Sequence, residues 1–171
     1  MIKAAAKFVI ALNGNAEKSQ IAAGFSWGLL LGLAPAGNFF WIVLFIISFF
    51  FRHNHGAKLL GMAIVKLFSP LLVMAVDFVG WQFLNIEALQ PAFTTMFNMP
   101  FVPFTKFNNT LVAGGLVGGL VLWLPSFFLF MALIPLYRKH VSEKIRNSKV
   151  FNGILKFPLF GFIEKALSPS E

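Results

Sequence analysis

"QIAAGFSWGLLLGLAPAGNFFWIVLFIISFFF", residues 20–51, runs for 31 residues after Gln20 without a charge, and Pro35-Ala36-Gly37 cuts it in the middle. A crossing of the bilayer core needs about 20 consecutive apolar residues. The two halves, 21–34 and 38–51, have 14 each. As helices they reach roughly 21 Å at 1.5 Å per residue, short of the ~30 Å core. The stretch is therefore either one long broken span or two short helices that enter a membrane and turn back.

Composition selects the solvent. Of 171 residues 58% are hydrophobic and 12% charged, with 23 Phe against a single Tyr. Soluble domains carry about 25% charge. A buried phenol in lipid needs a partner that phenylalanine does not. The expectation is an all-α integral membrane protein, one transmembrane domain over 1–171. No cysteine is present, which excludes disulfide and thiol chemistry. The apolar run after Lys7 is too short for a secretory signal. The net charge of +8 comes from Lys and Arg clustered beside apolar segments, as in cytoplasmic loops. No basic surface with interleaved aromatics accompanies it, so no nucleic-acid partner is expected.

Loop charge assigns the sides. Basic stretches at 1–18, 52–58 ("RHNHGAK") and 138–149 flank one near-neutral loop at 85–107. Placing all three in the cytoplasm requires 21–51 to enter and leave on the same side. That makes it a re-entrant helical hairpin turning at Pro35 and Gly37. Residues 59–84 and 109–137 then cross once each, and 85–107 is extracytoplasmic. Residues 1–18 read as an interfacial amphipathic helix, and 138–171 as a basic cytoplasmic or interfacial tail. The chain is expected to be multi-pass.

An internal alignment pulls the other way. "IAAGFSWGLLLGLAP" (21–35) and "LVAGGLVGGLVLWLP" (111–125) align without gaps at a spacing of 90 residues. Ala23/Ala113, Gly24/Gly114, Gly28/Gly118, Leu30/Leu120 and Pro35/Pro125 are identical, and the register continues to Lys66/Lys156. It is either a repeat of 21–66 in 111–156, a device that places sites at repeat interfaces, or the chance likeness of two apolar segments. A second hairpin at 111–137 would put the basic 138–149 outside, so charge is preferred to the repeat.

Few residues carry chemistry. Gly24, Gly28 and Gly32 recur every four residues, and Gly114 and Gly118 follow the same spacing. Such stripes let helices meet backbone to backbone in lipid, within this chain or with a partner helix. Lys66 and Asp77 are charges well inside an apolar segment, and charges at membrane depth are functional candidates. Eleven residues separate them by about 16 Å along a helix, so they cannot pair directly. Lys66 either snorkels toward the cytoplasmic headgroups or binds an anionic lipid headgroup; Asp77 is the second headgroup candidate. His53 and His55 in a short loop, with no cysteine or nearby carboxylate, read as a solvated loop rather than a metal site. No serine has a base placed to activate it. No enzyme, cofactor or metal is expected.

Residues 19–80 resemble a known family, the bacterial domain of unknown function 2062. The resemblance rests on Ala22-Ala23-Gly24 with Gly28 and Gly32, on Pro35 with Gly37, on Arg52 with Asn54, and on Ser69-Pro70. Ser69 stands where the family has Asn before Pro, and Ala36 where it has Leu or Phe before the turn Gly. The resemblance implies a bacterial inner-membrane protein without an assigned activity. The branch it is similar to is encoded beside a large AsmA-like periplasmic protein, anchored in the inner membrane and thought to carry lipid toward the outer membrane. The expected function is a non-enzymatic subunit that feeds phospholipid to such a partner. The alternatives are a small-solute or ion channel or transporter, and a membrane scaffold for a glycosyltransferase.

Overall fold

The computed structural model describes residues 17–137. The expected interfacial helix at 1–18 (apart from its last two residues), the basic tail at 138–171 and the end of the repeat register lie outside the described residues. Every regular element described is helical: α1 (Lys18–Leu33), α2 (Phe39–Ser48), α3 (His55–Leu84), α4 (Gln90–Phe97) and α5 (Thr110–Tyr137), with short 3₁₀ turns at Glu87–Leu89 and Val102–Thr105.

Proline and asparagine punctuate the first hairpin. Proline disfavours helical geometry at the residue before it. Ala34 accordingly swings to ψ 135° and α1 stops. Gly37 then adopts φ +89°, a conformation that costs glycine nothing. Asn38 starts the next helix: its Oδ1 accepts from the Trp41 backbone N–H, and its Nδ2 donates to the Pro35 carbonyl, both at 2.7 Å. Trp41 Nε1 donates to the Leu31 carbonyl at 2.9 Å, tying α2 to the last turn of α1. At the open end the Asn54 N–H donates to the Gln20 carbonyl at 2.9 Å, which closes the hairpin. Asn54 also caps α3 through the Ala57 N–H at 2.9 Å, so α3 begins at His55 rather than at the expected 59.

Because the hairpin brings the chain back to its start, α1 and α3 run parallel in direct contact. A Cβ on Gly28 would stand 2.5 Å from the Lys58 carbonyl oxygen and 2.8 Å from the Met62 nitrogen. One on Gly24 would collide with the Asn54 carbonyl, and one on Gly32 would stand 2.6 Å from Val65 Cβ. Helix α5 runs antiparallel to both. Gly115 meets Ala34, Gly119 meets Leu30, and the rings of Phe130 and Phe25 stack at 4.5 Å. Gly114 meets Val76 and Gly80 of α3. The Ser126 hydroxyl donates to Ser26 Oγ at 3.1 Å across the bundle. Three helices thus share one narrow seam.

The rest of the surface is apolar. Helices α3 and α5 are long and apolar enough to cross a membrane, at about 45 and 42 Å. Within their most apolar 18-residue stretches only 6% and 17% of residues are buried. A core helix of a soluble protein passes the same length test but hides that surface. Here Leu67, Leu71 and Met74 of α3 and Val121 and Phe128 of α5 are all exposed. Contiguous exposed apolar surface of this extent marks a membrane or partner interface, so the chain is read as membrane-associated.

The 90-residue register is not matched by equivalent environments. Pro35 ends a helix, while Pro125 lies inside α5, where no Gly-Asn pair follows to capture a turn. Leu30 is buried and Leu120 exposed. Within the chain the contacts in that stretch belong to Gly115 and Gly119, and a Cβ at Gly118 would meet no atom within 4 Å among the described residues. The near-neutral loop has helical structure of its own. It contains α4, and the turn Val102–Thr105 folds back beside α2, flanked by Phe101 and Lys106 at positive φ.

Candidate functional site

Where α1 stops at Pro35, α3 continues for another 18 residues past Lys66. The end of α1, the middle of α3 and the first turn of α5 leave between them a groove of about 300 Å³, lined by Leu33, Pro35, Lys66, Ser69, Val73 and Leu111 among others. Among the described residues Lys66 is the one charged residue lining it. Its Nζ donates to the Ala34 carbonyl at 2.7 Å. A lysine at a helix C-terminus satisfies an orphan carbonyl and meets the negative end of the helix dipole. The side chain therefore turns to the hairpin tip and not toward the His55 end. One bond uses one of three ammonium donors.

Two neighbours add polarity to the groove. Ser69 lies one helical turn beyond Lys66, and its hydroxyl makes no hydrogen bond among the described residues. Pro70 has no N–H to offer the Lys66 carbonyl, its partner in a regular helix. The groove is a small polar centre within apolar walls.

Asp77 does not belong to it. Its carboxylate accepts a hydrogen bond from the Thr110 hydroxyl at the start of α5, where the helix dipole favours negative charge. The two headgroup candidates are thus separate: of Lys66 and Asp77, Lys66 lines the groove and Asp77 does not.

A second lysine, placed by sequence in a loop, is almost wholly buried. Lys58 is 1% exposed in the second turn of α3. Its Nζ donates to Ser48 Oγ at 2.8 Å and lies 3.9 Å and 4.8 Å from the ring centroids of Phe49 and Phe45. No carboxylate accompanies it among the described residues. Two ring faces and the negative C-terminal end of α2 take the counter-ion's place. A sequence signal existed. Asn54 is a good helix cap, so the helix begins there, and Phe45, Ser48 and Phe49 form one α2 face.

His53, expected to be solvated, is also buried. Its ring packs near Trp27 and against His55. Burial, and then the positive charges of His55 and Lys58, hold its pKa below the ordinary imidazole value, partly opposed by the Phe51 carbonyl. With Nδ1–H donating to the Phe51 carbonyl at 2.9 Å, Nε2 is a bare acceptor without a partner among the described residues. No third ligand joins the two histidines; among the described residues no group of three His, Asp or Glu side chains is placed to hold a metal.

An uncharacterized protein of Treponema pallidum (strain Nichols) is 31% identical over 159 residues, 93% of this chain and 98% of that protein. No solved structure matches the chain. Residues 4–143 match the family described as "Uncharacterized protein conserved in bacteria (DUF2062)". With most of its length inside that match, hairpin, groove and both long helices included, the chain belongs to the domain of unknown function 2062 family.

Proposed function

We propose that the chain is a multi-pass protein of the bacterial inner membrane, without catalytic activity of its own, that holds a phospholipid and passes it to a large AsmA-like periplasmic partner. The observation that carries the reading is Lys66, an ammonium with spare donors in a largely apolar groove between two membrane-length helices. A phosphodiester can take the donors while its acyl chains lie on the exposed faces of α3. The hairpin α1–α2 is re-entrant in this reading, with both ends in the cytoplasm. A short element of this kind thins the bilayer around it, which lowers the barrier to moving a headgroup inward.

Topology is tested first. The natural chain has no cysteine, so single cysteines report cleanly. Arg52 and Asn98 are both exposed. In intact cells Asn98→Cys should react with an impermeant thiol reagent, and Arg52→Cys only after the membrane is opened. Labelling of Arg52→Cys from outside would remove the re-entrant arrangement.

Charge-assisted hydrogen bonds contribute roughly 1.5–3 kcal/mol. Lys66→Ala should therefore reduce phospholipid co-purified in mild detergent by about tenfold or more, and Lys66→Arg should largely keep it. Thermal unfolding of each variant separates loss of lipid from loss of the α1 cap. A folded Lys66→Ala protein with unchanged lipid content would end the proposal.

A further inference from the structure

The groove offers acceptors as well as a cation. At the end of α1 the Leu30 carbonyl receives the Ala34 N–H, that of Leu31 receives Trp41 Nε1, and that of Ala34 receives Lys66. The Leu33 carbonyl packs against Gly115 of α5, and Pro70 deprives the Lys66 carbonyl of its helical donor. Both residues line the groove, together with the unbonded Ser69 hydroxyl. Inside a bilayer no water is at hand, and backbone carbonyls left unpaired there are costly. A ligand that brings its own N–H or O–H donors relieves that cost; one without donors does not.

We infer that the groove selects phospholipids whose headgroup carries hydrogen-bond donors beside the phosphate, such as ethanolamine, over those whose headgroup has none, such as choline. The inference rests on the phospholipid-holding reading and adds headgroup selectivity to it. The phosphate takes the spare donors of the Lys66 ammonium. The headgroup ammonium turns to the Lys66 carbonyl and to the Ser69 hydroxyl. At about 300 Å³ the groove is at the small end of ligand pockets. That suits a headgroup with its glycerol, the acyl chains remaining in the bilayer.

Stepwise N-methylation is the test. The purified chain in detergent is titrated with four lipids of identical acyl chains, carrying ethanolamine and its mono-, di- and trimethyl forms, and occupancy is read by native mass spectrometry. The first three keep at least one N–H; the last has none. Affinity should hold roughly level through the dimethyl form and fall about tenfold at the trimethyl form. An even decline with each methyl would mean exclusion by size, and equal affinity for all four would mean no headgroup selection; either overturns the inference. Lys66→Gln should weaken all four lipids alike. If it changes none of them, the phospholipid-holding reading itself fails, whatever the methylation profile. Displacement of the lipid by equimolar soluble phosphoethanolamine would overturn the commitment to a lipid.

Discussion

Gly28→Leu should abolish recovery of the folded chain, while Gly118→Leu should leave it near the natural yield. The two positions are equivalent in the 90-residue register but not in space. At Gly28 even a Cβ would stand 2.5 Å from the Lys58 carbonyl and 3.0 Å from Gly61 Cα, and both are backbone. A leucine there must push α1 and α3 apart along the seam that the buried core depends on. Ordinary overpacking costs about 1–3 kcal/mol because side chains yield; here nothing yields, so the cost exceeds that range. At Gly118 a leucine enters open space, and exchanging glycine for leucine in a helix is favourable by several tenths of a kcal/mol. Monodisperse yield after detergent extraction decides it. Equal losses for both variants would mean that Gly118 is packed after all. If Gly118→Leu folds but loses a co-purifying partner, that open face is where the partner's helix lies.

Lys58 carries the second large effect. Reversal of charge in Lys58→Glu places a carboxylate against the faces of Phe45 and Phe49 and the C-terminal carbonyls of α2, all of which repel it. An unpaired buried charge with no compensating contact costs several kcal/mol, enough to free α2 from the bundle. Lys58→Met fills similar space. It loses a cation–π contribution of about 2 kcal/mol and also sheds the burden of burying an ion, so its effect should be small. Lys58→Arg keeps the ring contacts. Melting temperatures in detergent should rank the natural chain and Arg highest, Met next and Glu far below. Glu melting level with Met would show that the ring-faced site does not discriminate charge.

Much of the architecture was legible in the sequence because its signals are local. Pro35 and Gly37 act through their own backbone geometry, so the hairpin turn could be read at 35–37, while the Asn38 cap emerged only in the structure. Apolar runs of sufficient length signalled the long helices, and their starts were missed by only a few residues, at Asn54 and Thr110. The misreadings have a common cause. Lys58 and His53 were assigned to solvent by their position in a basic string, yet α2 folds over Lys58 while Trp27 and His55 enclose His53. Asp77 was grouped with Lys66 by depth, and the start of α5 claims it instead.

The amino-acid sequence alone determined the apolar character of the long helices, the helical class and the place where the first apolar stretch turns back. Each follows from hydrophobicity or from a residue's own allowed dihedral angles. Tertiary structure decided which glycines touch, which lysine is buried and which stays in the groove. A helix presents every face to the sequence equally, and only the crossing of α1, α3 and α5 separates Gly28, against the Lys58 carbonyl, from Gly118, against nothing. The same crossing leaves a gap where α1 ends early, and in that gap Lys66 is held to Ala34.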